Sequence, residues 1–183
     1  MIEKTLVLLK PDAVKRNLSG TIISRFESSG LKIKAMKLTN VSENLAKEHY
    51  FLDEQWAKNV FDKTLDSYQK EKKEMKYKDH LEFGKTIQKW NVTFLTEGPI
   101  IAMILEGPHA IELVRKMIGS TEPRSASPGT IRGDFASTES YQIADSENRV
   151  LRNLVHASDS IKTAEREIAL WFKESEIQTT KKT

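Results

Sequence analysis

Three separated stretches carry residues suited to phosphate chemistry: Lys10-Pro11-Asp12, Gly119 to Phe135, and Asn153 to Ser160. In the second, Pro128-Gly129-Thr130-Ile131-Arg132-Gly133-Asp134-Phe135 sets an arginine between two glycines. Glycine lets backbone approach a ligand closely, and a guanidinium offers a fork of donors matched to phosphate oxygens. Taken alone, the stretch reads more simply as a turn in which Arg132 pairs with Asp134. Arg115 and Thr121 add a second cation and a hydroxyl, a further grip on a polyphosphate.

His156 follows an apolar pair and precedes Ala157-Ser158-Asp159-Ser160, at a transition from strand to loop. A lone histidine is more often structural than catalytic, and His49, His80 and His109 are assigned that way. His156 differs in its company, because Glu167 lies on the helix expected next, on a turn that could face back to the ring. A carboxylate on one imidazole nitrogen fixes the tautomer and leaves the other nitrogen free as a nucleophile. No second histidine stands at helical spacing from His156, so a protein-held metal is not expected. The chain has no G-x-x-x-x-G-K-[ST] loop and no protein-kinase motif set. A nucleotide site would therefore be of another kind, with Mg²⁺ on the phosphates.

These residues need a scaffold. Thr5 to Leu9 is an apolar run of strand length, stopped by Pro11. Ile22, Ile23 and Phe26 lie at helical spacing within Ser19 to Ser29, with Gly30 at the C-terminal cap. Leu31 to Leu38 alternates apolar residues with Lys32 and Lys34 and reads as a strand with one wet face. Ser42 caps a helix carrying Leu45, Ala46 and His49. One helix is expected from Glu54 to about Met75, and another through Ile87, Trp90, Phe94 and Leu95 to Gly98-Pro99. Ile100 to Leu105 reads as a buried strand, Pro108 as a helix start, and residues 119–153 as long loops. Leu154 to His156 is a short extended piece, followed by a helix from Ile161 to Phe172 capped by Asp159 or Ser160. Strands alternating with helices point to a small sheet covered by helices, α/β or α+β.

Composition narrows the classes. The chain has 183 residues, 38% hydrophobic and 30% charged, enough for a sizeable core and against wholesale disorder. With no cysteine, disulfides, thiolate catalysis and cysteine-held zinc are excluded. No apolar run is long enough for a signal core or membrane span, and a cytoplasmic protein is expected. The net charge is +3, and the run from Lys70 to Lys78 is rich in lysine but broken by Glu71 and Glu74. With those acidic interruptions, nucleic-acid binding there or at Lys181-Lys182 is at most secondary.

At the three stretches the chain resembles nucleoside diphosphate kinases. Thr5 to Asp12 is similar to the family's opening strand and Lys-Pro-Asp turn. Pro128 to Phe135 matches a long family string, and Asn153 to Ser160 matches the active-site pattern N-x-x-H-[AG]-S-D-S. The resemblance runs from the first strand to Trp171-Phe172. It implies a ferredoxin-like α+β fold, a four-stranded antiparallel sheet with helices packed on it, as one domain over residues 1–183. It implies His156 as the nucleophile that becomes phosphohistidine, oriented by Glu167 with Ser158 supporting that carboxylate. Lys10 would contact phosphates and ribose, Tyr50 would lie beside the histidine, Arg115, Thr121 and Arg132 would hold phosphates, and Asn153 the sugar hydroxyl. It further implies ping-pong transfer from a nucleoside triphosphate such as ATP to a nucleoside diphosphate, Mg²⁺ carried with the nucleotide, and a homo-oligomer. The chain departs from the family pattern by insertions around 55–90 and 136–152. The first blurs which aromatic, among Trp56, Phe83 and Trp90, meets the base. A homologue without catalysis would show damage at the nucleophile, its carboxylate or the arginines, and all of these residues stand.

Overall fold

A computed structural model describes residues 2–70, 72 and 74–179. Glu71, Lys73 and the Lys181-Lys182 tail lie outside the described residues. The elements run β1 (Ile2–Leu9), α1 (Pro11–Lys15), α2 (Ser19–Ser28), β2 (Lys32–Thr39), α3 (Glu43–His49), α4 (Glu54–Lys70) and α5 (His80–Thr96). They continue with β3 (Ile100–Pro108), α6 (Ala110–Ile118), α7 (Ile131–Phe135), α8 (Tyr141–Ser146), β4 (Val155–Ala157) and α9 (Ile161–Trp171). The sheet order is β2-β3-β1-β4 with every pair antiparallel, the ferredoxin-like arrangement expected above. None of these helices is long and apolar enough to cross a membrane.

The sheet is covered on both faces, which is why β1 reads as an unbroken apolar run rather than an alternating one. Val7, Leu9, Met103 and Leu105 meet α2 and α6 through Ile22, Phe26, Val114 and Ile118. Leu6, Leu8, Ala102 and Ile104 meet α3, α5 and α9 through Ala46, Leu95 and Trp171. The strand pleat then decides where the site lies. Val155 and Ala157 join the first of these layers, so His156 between them points to the opposite face, towards α3 and α9.

Four expectations need correction. Lys34, expected on a wet face, is buried with its ammonium 3.8 Å from Glu106, because a bulge between Ile33 and Ala35 reverses the alternation. Helix α4 stops at Lys70 rather than near Met75, and Lys72 just beyond takes a left-handed φ of 56° that a helix cannot continue. Pro108 ends β3, paired with Ile2, instead of opening a helix, and His109 at φ 51° makes the turn into α6. Residues 119–153 are not simply loops: Thr130 caps α7 and Ser140 caps α8 by accepting from the Gly133 and Ile143 amides.

Helix α8 is tied down by polar contacts. The Arg149 guanidinium is bidentate to Glu139, whose carboxylate also accepts from the Arg152 amide. Arg152 reaches Glu97 beyond α5, and the Tyr68 hydroxyl on α4 bonds the Asp145 carboxylate on α8. Residues 136–152 thus bridge towards the α4–α5 hairpin.

Candidate active site

Strand β1 delivers Lys10 and Asp12 to the start of β4. The Lys10 amide donates to the Leu154 carbonyl at 2.8 Å, and the Leu154 amide donates to Asp12 Oδ2 at 3.1 Å. Between them Leu154 adopts φ 67°, and the Val155 amide closes back on the Asn153 carbonyl at 2.7 Å. This is a γ-turn of the rare positive-φ kind, a strained conformation for a branched side chain. The Lys10-to-Asp12 turn clamps it from both sides, so the segment entering His156 is held by an aspartate 142 residues away. Burial raises the Asp12 carboxyl above its usual range against the pull of Lys10 and of two backbone amides.

Lys10 is buried, and its ammonium bonds Asn153 Oδ1 at 2.7 Å while lying 5.6 Å over the Phe94 ring. Burial and the neighbouring Arg132 charge bring its pKa down to about 8, with Asp12 opposing. Asn153 in turn donates to the Thr121 carbonyl at 2.8 Å, fixing the loop after α6.

Arg132 does not pair with Asp134, the plainer reading of that turn. Asp134 instead bridges Arg25 at 2.6 Å and accepts from the Gly129 amide. The Arg132 guanidinium spends four N–H bonds on backbone carbonyls: Asn153, Gly119, Ser120 and Val155. One of the five donors of the fork stays available for a ligand oxygen. Burial, reinforced by the charge of Arg115, lowers its pKa to about 10. Gly133 has no room for a side chain, since a Cβ there would stand 2.1 Å from the Ser127 carbonyl oxygen. Arg115 and Thr121 are exposed beside this cluster, and Arg115 also lines an open groove of about 560 Å³ with Asp159 and Lys116.

On the other side of β4, His156 Nε2 lies 3.0 and 3.1 Å from the two carboxylate oxygens of Glu167 on α9. Ser158 donates to the same carboxylate at 2.7 Å and accepts from the Leu6 amide. Burial drives the Glu167 carboxyl up, but the charge and hydrogen bond of His156, then His49 and Ser158, outweigh it and hold the pKa at about 2. No described residue bonds His156 Nδ1, so the arrangement presents one fixed and one free ring nitrogen. Tyr50, at the end of α3, stands with its ring 6.5 Å from that of His156, and burial beside Glu167 raises its hydroxyl pKa well above normal.

The depressed Glu167 value has a consequence for stability. A carboxyl whose folded pKa lies below its unfolded value stabilises fully above the unfolded value and loses that contribution as pH falls towards the folded one. For Glu167 the window runs from about pH 4.5 down to about pH 2, with an effect on the order of 3 kcal/mol. Urea unfolding across that window should show a steep loss in the wild type and a flatter curve in Glu167→Gln.

The structure therefore gathers Lys10, Tyr50, Arg132, Asn153, His156, Ser158 and Glu167 around the ends of β1 and β4, with Arg115 and Thr121 at the rim. One neighbour escaped the sequence reading. His49, assigned a structural role, is fully enclosed with its ring centroid 4.4 Å from that of His156. Its position next to Tyr50, which the resemblance had placed at the nucleophile, was the available signal. His49, His156 and Glu167 are also the one group of possible metal ligands among the described residues, with ligand atoms within 4.8 Å.

Comparison with known proteins bears on this arrangement. A family model described as nucleoside diphosphate kinase matches residues 3–71 and 67–177. A nucleoside diphosphate kinase of Pyrobaculum aerophilum is 48% identical over 180 residues, covering 96% of this chain and 98% of its own. The crystal structure of an NDP kinase from that organism superimposes with a TM-score of 0.92 at 44% identity, covering 98% of this chain and 100% of its own. A nucleoside-diphosphate kinase from Borrelia burgdorferi, held as a transition-state mimic with vanadate and ADP, gives a TM-score of 0.80 at 35% identity, over 99% and 93% of the two chains.

Proposed function

Because the chain belongs to the nucleoside diphosphate kinase family, we propose that it transfers the γ-phosphate of a nucleoside triphosphate such as ATP to a nucleoside diphosphate in two half-reactions through phosphorylated His156. The observation that carries this reading is the contact of His156 Nε2 with both carboxylate oxygens of Glu167, an acceptor that sets the tautomer. With Nε2–H bonded to Glu167, Nδ1 keeps a lone pair and needs no base to activate it. Attack forms the Nδ1–P bond and breaks the bond to the β-phosphate oxygen, releasing a nucleoside diphosphate. A second diphosphate reverses these events and restores the free imidazole.

The other residues position and neutralise. Lys10, Arg115, Thr121 and the spare donor of Arg132 hold phosphate oxygens, Asn153 and Lys10 meet the ribose, and Tyr50 borders the histidine. Glu167, supported by Ser158, balances the positive charge that grows on the ring as the bond forms. Mg²⁺ belongs with the nucleotide in this reading. The His49, His156 and Glu167 group is rich in nitrogen and already engaged in hydrogen bonds with itself, Ser158 and Trp171, whereas Mg²⁺ favours oxygen donors and phosphates. Bound with the phosphates, the ion would neutralise their charge. The bound vanadate and ADP of the Borrelia relative support a nucleotide phosphoryl-transfer site.

The same reading treats residues 1–183 as one kinase domain elaborated around 55–90 and 136–152, acting in the cytoplasm. It forms a homo-oligomer: β2 is an edge strand, and Met36 and Leu38 on it are 52% and 65% exposed. Nucleic-acid binding stays secondary.

Labelling tests the core of the proposal. Incubation with γ-labelled ATP followed by denaturation should leave an acid-labile, base-stable label that added GDP removes. Wild-type protein that takes up no such label sinks the reading.

A further inference from the structure

His49 and Trp171 form a pair that the phosphoryl-transfer scheme leaves unused. Glu167 and Trp171 are four residues apart on α9, so both side chains face the end of α3. The Trp171 indole donates to His49 Nδ1 at 3.2 Å. His49 is fully enclosed, and its ring stands edge-on to those of Tyr50, His156 and Trp171. Its Nδ1 lies 3.8 Å from Glu167 Oε1, just beyond hydrogen-bond reach. Its Nε2 is buried and finds no hydrogen-bond partner among the described residues.

Tautomer logic follows from donor inventory. An indole N–H only donates, so His49 Nδ1 must present its lone pair and any ring proton sits on Nε2. Were Nδ1 to carry a proton, two donors would face each other, and the displaced N–H would turn to the nearest acceptor, Glu167. That carboxylate already serves His156 and Ser158.

We propose that Trp171 and His49 are positioning residues that act as a tautomer lock, keeping His49 unable to donate to Glu167 and so reserving that carboxylate for His156. The inference rests on His156 being the nucleophile. The lock acts through the ring orientation of His156 rather than through contact with substrate. The groups facing His49 are Lys10 from the end of β1, Tyr50 after α3, His156 on β4, and Arg166 and Glu167 on α9. Burial and the His156 charge push the His49 pKa well below its usual value, with Arg166 and Lys10 adding to that and Glu167 opposing it. Arg166 also fixes the backbone at the end of α3 by donating to the carbonyls of Glu48 and His49.

Trp171→Phe keeps an aromatic ring and removes the N–H. His49 Nδ1 can then take a proton, and the resulting cation competes for Glu167. The acid limb of the kcat/KM profile should move up by about one pH unit, the equivalent of one hydrogen bond to the neutral form. At the acid end the rate should fall about tenfold, the lower bound for losing a bond that orients a histidine. Adding His49→Phe to that variant should return the limb to its wild-type position, which a loosened core would not do. An unshifted limb in Trp171→Phe overturns the proposal. ¹⁵N-histidine NMR of the wild-type protein tests it without any substitution: His49 should show a proton on Nε2 alone throughout the range in which the enzyme stays folded. A proton on Nδ1, or titration of His49 in the neutral range, overturns the lock. The NMR reads His49 without turnover, so its failure differs from failure of the phosphohistidine scheme, which appears as unlabelled wild-type protein.

Discussion

His156→Ala should abolish nucleotide phosphoryl transfer, by about five orders of magnitude or more, as removing a covalent nucleophile does. No other described histidine is hydrogen-bonded to a carboxylate. Folding should survive the change. The His156 side chain is about one-fifth exposed, and its hydrogen bonds run to Glu167 alone. Glu167 keeps Ser158 and the nearby Arg166 after the substitution. The cost is that of a buried carboxylate losing one partner, about 1–3 kcal/mol. Circular dichroism and a thermal melt should therefore report a folded, somewhat less stable protein, while a coupled assay and the γ-phosphate label both fall to background. Retained label in this variant would move the nucleophile elsewhere.

Arg132→Ala is the second large effect, and it should be double. Transfer should fall by two to three orders of magnitude, about what losing one preorganised donor to a transition-state oxygen costs. Stability should fall as well, because four carbonyls from two separate segments lose their shared partner. An effect of about 3 kcal/mol corresponds to about 6–12 °C in Tm for a domain of this size. Arg132→Lys separates the two roles: it keeps the charge but lacks the planar fork that spans the carbonyls. It should recover part of the phosphate affinity, read as KM, with little of the lost Tm. If Arg132→Ala loses activity at an unchanged melting temperature, the carbonyl network is not what the guanidinium supports in solution.

The contrast between what could and could not be read from residues has physical causes. β1 was legible because burial on both faces leaves an unbroken apolar signature. The His156–Glu167 contact was legible because an eleven-residue separation across one turn constrains geometry tightly. β2 misled because a single inserted residue at the bulge turns Lys34 inward, and nothing local announces a bulge. α8 was hidden because six residues are too few to establish a helical period, although its cap, Ser140, was present in the composition that suggested loops. His49 was missed for a deeper reason. Its meaning depends on Trp171 and His156, which are distant in sequence and meet only once the sheet is assembled. The donor pattern of Arg132 was likewise beyond reach, since all four of its carbonyl partners lie outside its own turn and are backbone atoms without sequence identity.

The clamp of Lys10 and Asp12 on Leu154 also bears on biosynthesis. The first strand leaves the ribosome early, yet its partners at residues 100–108 and 155–157 emerge far later. Such long-range pairing must await the distant chain and slows folding. During translation the amino-terminal lysine and aspartate have nothing to hold, and the γ-turn cannot form until the carboxy-terminal quarter is present. A prematurely terminated chain therefore cannot bring Lys10 and Asp12 against Asn153 and Leu154, and lacks the assembled cluster around His156.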